Sequence, residues 1–201
     1  MKRLTMTLCL LVLLCAAGTA QANLITNGDF ETTPWTLNNG SWTIYSSLQG
    51  WTLYNSEVEV QKGMFGGTNP SNYVELDANN NIRIGQSVSL TPGATYQLSF
   101  DYFNRQQSTT SGSMQVLIGD YSFDTSALGS QWTTLTTSFV YQGSSPSEIL
   151  YLLGTGKSDS YGALVDNISL VQTSPTPVPG AVWLLGSALV GLIGFKRRRK
   201  A

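Results

Sequence analysis

Tyr96-Gln97-Leu98-Ser99-Phe100-Asp101-Tyr102 decides the fold. Apolar and polar side chains alternate without a break, and a period of two puts one set on a buried sheet face and the other outward. The same period extends to either side. Ile82, Ile84, Val88 and Leu90 share a phase upstream. Downstream, Met114, Val116 and Ile118 share another, as do Leu135, Phe139 and Tyr141, and then Leu164, Ile168 and Leu170. Turn chemistry separates these runs at Thr91-Pro92-Gly93, Gly143-Ser144-Ser145-Pro146 and Gly154-Thr155-Gly156. About eight or nine short strands and no helix result, so the expected fold is all-β, an antiparallel β-sandwich.

The chain has 201 residues, with an apolar stretch and basic residues at each end. About 150 residues remain between, enough for one domain. Histidine is absent, and both cysteines, Cys9 and Cys15, precede the body. Ser-His-Asp triads, Cys-His pairs, His-ligated zinc and thiolate nucleophiles are thereby excluded, and no disulfide can brace the domain. From Asn23 to Pro177 four cations, Lys62, Arg83, Arg105 and Lys157, face all twelve acids, a balance of −8. Nucleic acid is therefore not an expected partner, since phosphate binding needs clustered cations.

The ends read as addresses. Lys2 and Arg3 precede the apolar run Leu8 to Leu14, and Ala20-Gln21-Ala22 supplies small residues for signal peptidase, so residues 1–22 form a secretory signal peptide. The sandwich domain occupies 23–172, and a proline-rich linker follows at 173–179. Residues 180–195 carry no charge and read as a single transmembrane helix, about 24 Å long at 1.5 Å per residue. Residues 196–201 are a basic tail that stays cytoplasmic. This order resembles the PEP-CTERM sorting signal of Gram-negative bacteria, with Pro177, Val178 and Pro179 as the proline motif and Arg197, Arg198 and Arg199 as the cluster. Val178 stands where the name-giving motif has Glu. The resemblance implies transient anchoring in the inner membrane, removal of the tail by an exosortase, and delivery to the cell surface or exopolysaccharide matrix. A permanent single-span anchor is the alternative.

The body carries a second resemblance. Asn23-Leu24-Ile25-Thr26-Asn27-Gly28-Asp29-Phe30-Glu31, Gly50-Trp51, the run Gln86 to Phe100 and Val165-Asp166-Asn167-Ile168-Ser169-Leu170 are similar to carbohydrate-binding-module jelly rolls of the galactose-binding-domain-like superfamily. Such modules often hold a structural calcium with acids of the first and last strands, which implies Ca²⁺ at Glu31 and Asp166, with Asp29 a further candidate. Asp166 shares the phase of the apolar residues of its strand, and a carboxylate aimed at a core needs a partner. A rim position, capping amides or pairing with Arg105, is the other reading.

Asp77-Ala78-Asn79-Asn80-Asn81 imitates a calcium loop, but Ile82 replaces the needed Gly, so a turn is expected. Glu57 with Glu59, or Glu75 with Asp77, lies on one strand face and reads as solvated charge at a sheet edge rather than an acid–base pair. Sugar stacking needs flat exposed aromatics, and Trp35, Trp42, Trp51, Tyr54 and Trp132 are available. Trp42 and Trp51 fall in the poorly alternating region and are the first candidates. The expected function is non-catalytic: an exported, surface- or matrix-targeted sandwich that binds polysaccharide. A structural or adhesive matrix protein without a sugar site, or a small carboxylate-dependent hydrolase or lyase, are the alternatives.

Overall fold

In the computed structural model the chain is described for residues 22–55, 57–65, 71–105, 111–125 and 131–173. The expected signal peptide apart from its last residue, the transmembrane helix, the basic tail and the sorting motif at 177–179 and 197–199 lie outside the described residues.

Eleven strands form two antiparallel sheets, two or three strands more than the periodicity alone suggests. They are β1 (Ser41–Tyr45), β2 (Thr52–Leu53), β3 (Val58–Lys62), β4 (Asn72–Glu75), β5 (Arg83–Ser89), β6 (Thr95–Asn104), β7 (Met114–Ile118), β8 (Tyr121–Thr125), β9 (Thr133–Val140), β10 (Ser147–Gly154) and β11 (Ala163–Gln172). One sheet runs β1-β3-β4-β11-β6-β9 and the other β2-β5-β10-β7-β8. No helix occurs among the described residues. The extra strands are short and weakly patterned, β2 having two residues.

The core lies between the sheets and follows the alternation. Tyr96, Leu98 and Phe100 of β6 meet Ile84 and Val88 of β5 and Leu150 and Leu152 of β10 in one buried cluster. Each such side chain contributes about 1.5–3 kcal/mol by leaving water. The Thr91-Pro92-Gly93 corner forms as expected: Ala94 N donates to Thr91 O at 3.1 Å, and Gly93 takes φ 78°, the conformation that a Pro-Gly turn of type II demands. Tyr96 secures it, its hydroxyl accepting from Thr91 N at 2.7 Å. The segment 22–31 lies along β11, with Leu24 N donating to Leu170 O at 2.8 Å and Ile168 N to Gly28 O at 2.9 Å.

One expectation fails at β11. Val165, Ile168 and Leu170 face the core, whereas Leu164 packs outside the six-stranded sheet with Tyr73 and Phe103. The register with β6 shifts between Asp166 and Ser169, and Asn167 adopts φ 52°. This bulge inserts a residue and flips the phase. Asp166 therefore points outward with Leu164, not into the core, and is nevertheless buried.

Candidate functional site

The outer face of the six-stranded sheet is not a solvated edge. On β3, Val58 and Val60 enter the core, so Glu59 and Gln61 must point outward, and both are buried. On β4, Glu75 sits opposite Glu59 in the register. Like charges directly opposite each other are destabilising unless a cation or a proton intervenes. Arg105, just past β6, forms an ion pair with Glu75 Oε2. The Gln61 amide Nε2 donates to Glu59 Oε1 at 2.7 Å and also to Glu75. Gly162 N donates to Glu75 Oε1 at 2.8 Å. Burial pushes the Glu75 carboxyl up to about 8, Arg105 opposing the shift and Glu59 adding to it. The reading of Glu59, Glu75 and Asp77 as solvated charge is thus overturned, because the 158–162 loop covers this face. Asp77 accepts from Asp159 N at 2.8 Å and Ser160 N at 2.9 Å and holds that loop down. Of the four acids, Glu57 is the one left partly exposed, accepting from Asn79 Nδ2 at 3.0 Å. The 77–81 segment is a turn, bridged between its ends.

Beside this cluster opens a recess of about 240 Å³, lined by Trp42 and Ile44 of β1 together with Glu59, Asn79, Arg105 and Tyr161. Trp42 is 53% exposed and Tyr161 45%. The Arg105 guanidinium carbon lies 5.0 Å from the ring centroids of both Tyr161 and Phe65. Arg105 Nε and Gln61 Oε1 are buried without a hydrogen-bond partner. Two exposed aromatic rings thus flank acid, amide and guanidinium groups, an arrangement suited to stacking on a flat ligand and reading its hydroxyls.

The other aromatics are packed. Trp51, expected to be exposed, is buried against Phe30 at 5.7 Å between centroids, with its Nε1 donating to Asn27 O at 3.0 Å. Trp35 stacks on Tyr45 at 3.7 Å, and Trp132 packs on Tyr73 and Phe103. Tyr54 is exposed, on the other sheet.

The acids of the expected calcium site come close but remain engaged by the chain. Asp166 faces Asp101 across β11 and β6. Its Oδ1 accepts from Asn167 N at 2.7 Å and its Oδ2 from Ser71 Oγ at 3.1 Å. Burial raises its carboxyl to about 7, with Asp101 and Glu31 adding to the rise. Arg105 does not reach it, being paired with Glu75. Glu31 accepts from Asn72 N at 2.5 Å and Asn72 Nδ2 at 3.1 Å, and Asn72 Oδ1 is buried without a partner. Asp29 lines a separate hollow with Asn23, Asn27 and Asn167. Among the described residues no group of three or more acids is arranged to hold a metal ion.

Sequence reading named Trp42, which is exposed, and did not bring Glu59, Gln61, Glu75, Arg105 and Tyr161 together as a group. The alternation of β3 already places Glu59 and Gln61 together. The covering loop and the Glu59–Glu75 register are tertiary facts with no local signal.

The chain resembles several known proteins. Halomucin of Haloquadratum walsbyi is 25% identical over 161 residues, covering 77% of this chain, and the chain spans 2% of that protein's length. A cyclase from Fischerella sp. TAU superposes with a TM-score of 0.55 at 18% identity, covering 79% of this chain and 100% of the cyclase chain. A family 16 carbohydrate binding module is 23% identical at a TM-score of 0.49, covering 74% of this chain and 99% of the module. Residues 23–171 match the family described as "Protein of unknown function (DUF642)", and the chain belongs to that family.

Proposed function

We propose that the protein is an exported, non-catalytic glycan-binding sandwich whose sugar sits in the recess between Trp42 and Tyr161. The observation that carries this reading is the exposure of those two rings in one recess with the polar side chains of Glu59, Asn79 and Arg105. A pyranose presents an apolar face for stacking and a rim of hydroxyls for polar groups. With Arg105 facing the carboxyl groups of Glu59 and Glu75, the recess has no excess of positive charge, and a neutral glycan suits it best. Trp42→Ala and Tyr161→Ala are each expected to weaken binding of a glycan selected on an array by about tenfold or more, while the thermal unfolding of Trp42→Ala stays near that of the unaltered chain. Unchanged affinity in both variants contradicts this reading.

The Glu59–Glu75 pair favours a second reading, a carboxylate-dependent hydrolase or lyase. Against it, Glu75 is wholly buried and engaged by Arg105, Gln61 and Gly162. No release of reducing ends or unsaturated sugar from a bound polymer is expected, and any release abolished by Glu59→Gln supports the enzyme instead.

Delivery rests on the termini. Signal peptidase removes residues 1–22, and an exosortase acts at Pro177-Val178-Pro179 after transient anchoring in the inner membrane, leaving the body at the surface or in the matrix of a Gram-negative cell. Mass spectrometry of secreted protein is expected to find a chain beginning at Asn23 and ending before the basic cluster.

Ca²⁺ at Glu31 and Asp166 completes the proposal. Two carboxylates and the unpartnered Asn72 Oδ1 are hard oxygen donors of the type this ion takes. Bound calcium would offset the repulsion among Asp101, Asp166 and Glu31. A chelator is expected to lower Tm by about 5–10 °C when calcium is saturating, and to leave Asp166→Asn unchanged. A Tm indifferent to chelator rejects the metal and leaves the sugar recess standing.

A further inference from the structure

We infer that the five-stranded sheet carries a second ligand site, on the opposite face of the sandwich, where Arg83 between Tyr54 and Tyr151 receives the carboxylate of an acidic sugar. Ile84 enters the core, so its β5 neighbours Arg83 and Gly85 point outward. Tyr151 of β10 is the register partner of Gly85. A Cβ on residue 85 would meet Tyr151 Cδ1 at 2.9 Å and Cε1 at 3.2 Å. The ring therefore lies down against bare backbone, which only glycine permits. Tyr54 meets Tyr151 edge-on, 5.4 Å between centroids at 61°. The Arg83 guanidinium carbon lies 4.4 Å from the Tyr54 centroid and 5.3 Å from that of Tyr151.

Arg83 has no acid. The ion pairs among the described residues are Arg105–Glu75 and Lys157–Asp159. In a body where twelve acids outnumber four cations, an exposed guanidinium held between two rings with no carboxylate is unusual. Beside it lies a recess of about 290 Å³ bounded by Asn55, Asn81, Leu153 and Gly154. Asn81 Nδ2 donates to Gly156 O at 2.7 Å, whereas its Oδ1 is buried without a partner and can accept from a hydroxyl. A guanidinium offers a planar fork that a carboxylate fills with two parallel hydrogen bonds. The rings give the pyranose a face, and Asn81 reads a neighbouring hydroxyl. The polymer's longer-range repulsion from the acidic body is screened beyond about 8 Å at physiological salt. If the Trp42 recess takes glycan as proposed above, the domain would hold two different chains at once, one on each face, and cross-link them.

The test is a titration of the full-length chain, kept in detergent, with oligomers of mannuronate, guluronate, glucuronate and galacturonate and with their carboxyl-reduced forms. At least one acidic oligomer is expected to bind, and its reduced form to bind about tenfold more weakly or worse. Arg83→Ala is expected to cost the same factor, Arg83→Lys less, and Trp42→Ala nothing. Failure of all four oligomers to bind, equal binding of the reduced forms, or wild-type affinity in Arg83→Ala overturns the inference. Loss in Trp42→Ala with no loss in Arg83→Ala also overturns it, by moving the acidic ligand to the first recess. Failure of neutral glycans to bind touches only the Trp42 recess.

Discussion

Arg105→Ala is expected to destabilise the protein by about 1–3 kcal/mol at pH 8, a sizeable part of the roughly 5–15 kcal/mol that holds a domain folded. The loss has little to do with the strength of one ion pair. Removing the guanidinium leaves Glu75, wholly buried, beside Glu59 with only Gln61 and Gly162 to satisfy it. An uncompensated buried charge costs far more than an intact pair contributes. The pH dependence identifies the cause. Burial lifts the Glu75 carboxyl from 4.5 to about 8, so between these values the folded state binds a proton that the unfolded chain has released. Stability therefore falls as pH rises through this window, fully present below about 4.5 and lost above about 8. Without Arg105 the carboxyl holds its proton to higher pH, so the window in which stability falls extends upward, and the deficit of the variant shrinks at pH 4.5. Arg105→Ala combined with Glu75→Gln is expected to recover most of the loss, since the charge that needed a partner is gone. Denaturant melts of the four proteins at pH 4.5 and pH 8 provide the check. A pH-independent deficit, or no recovery in the double variant, shows that Arg105 acts by packing on Phe65 and Tyr161 instead.

Phe30→Ala is expected to cost about 3–5 kcal/mol, the range for emptying an aromatic site in a core that cannot collapse around it. Phe30 is completely buried although it lies outside every strand, and it adopts φ 54°, a conformation that bulky residues rarely accept. Packing against Trp51 holds it there. Its carbonyl accepts from Asn72 Nδ2 at 3.2 Å, and the next residue, Glu31, engages the same asparagine. The ring is thus the peg that fixes segment 22–31 to β4 and β11. Loss of Phe30 should release the amides of that segment to hydrogen exchange ahead of β6 and β10. A cost under about 1 kcal/mol, measured by chemical unfolding, would mean that the segment is an ornament rather than part of the core.

The sandwich was legible because its central strands obey a strict period. Tyr96, Leu98 and Phe100 could not be buried together in any other regular form. The face of β11 was misread because a bulge at Asn167 inserts one residue, and no alternation rule anticipates an insertion. Trp42 is exposed, as an aromatic in a poorly alternating stretch is expected to be. Trp51 met the same condition and is core, because Phe30 and Asn27 approach it from segment 22–31. Glu59 and Glu75 looked like edge charge since strands commonly turn acids outward. They do point outward, but a loop pinned by Asp77 lies over them, and that contact spans about eighty residues of sequence. Tyr161 carries no signal of its own. It becomes a candidate only once Trp42 stands across from it.

The central claim is that the recess on the six-stranded sheet takes sugar, and a ¹H–¹⁵N NMR titration of the chain with a neutral oligosaccharide that it binds tests this most directly. Binding there must shift the Trp42 indole N–H, the Asn79 side-chain amide and the Tyr161 backbone amide, leaving the Trp51 indole in place. Saturable binding with those three resonances unmoved contradicts it.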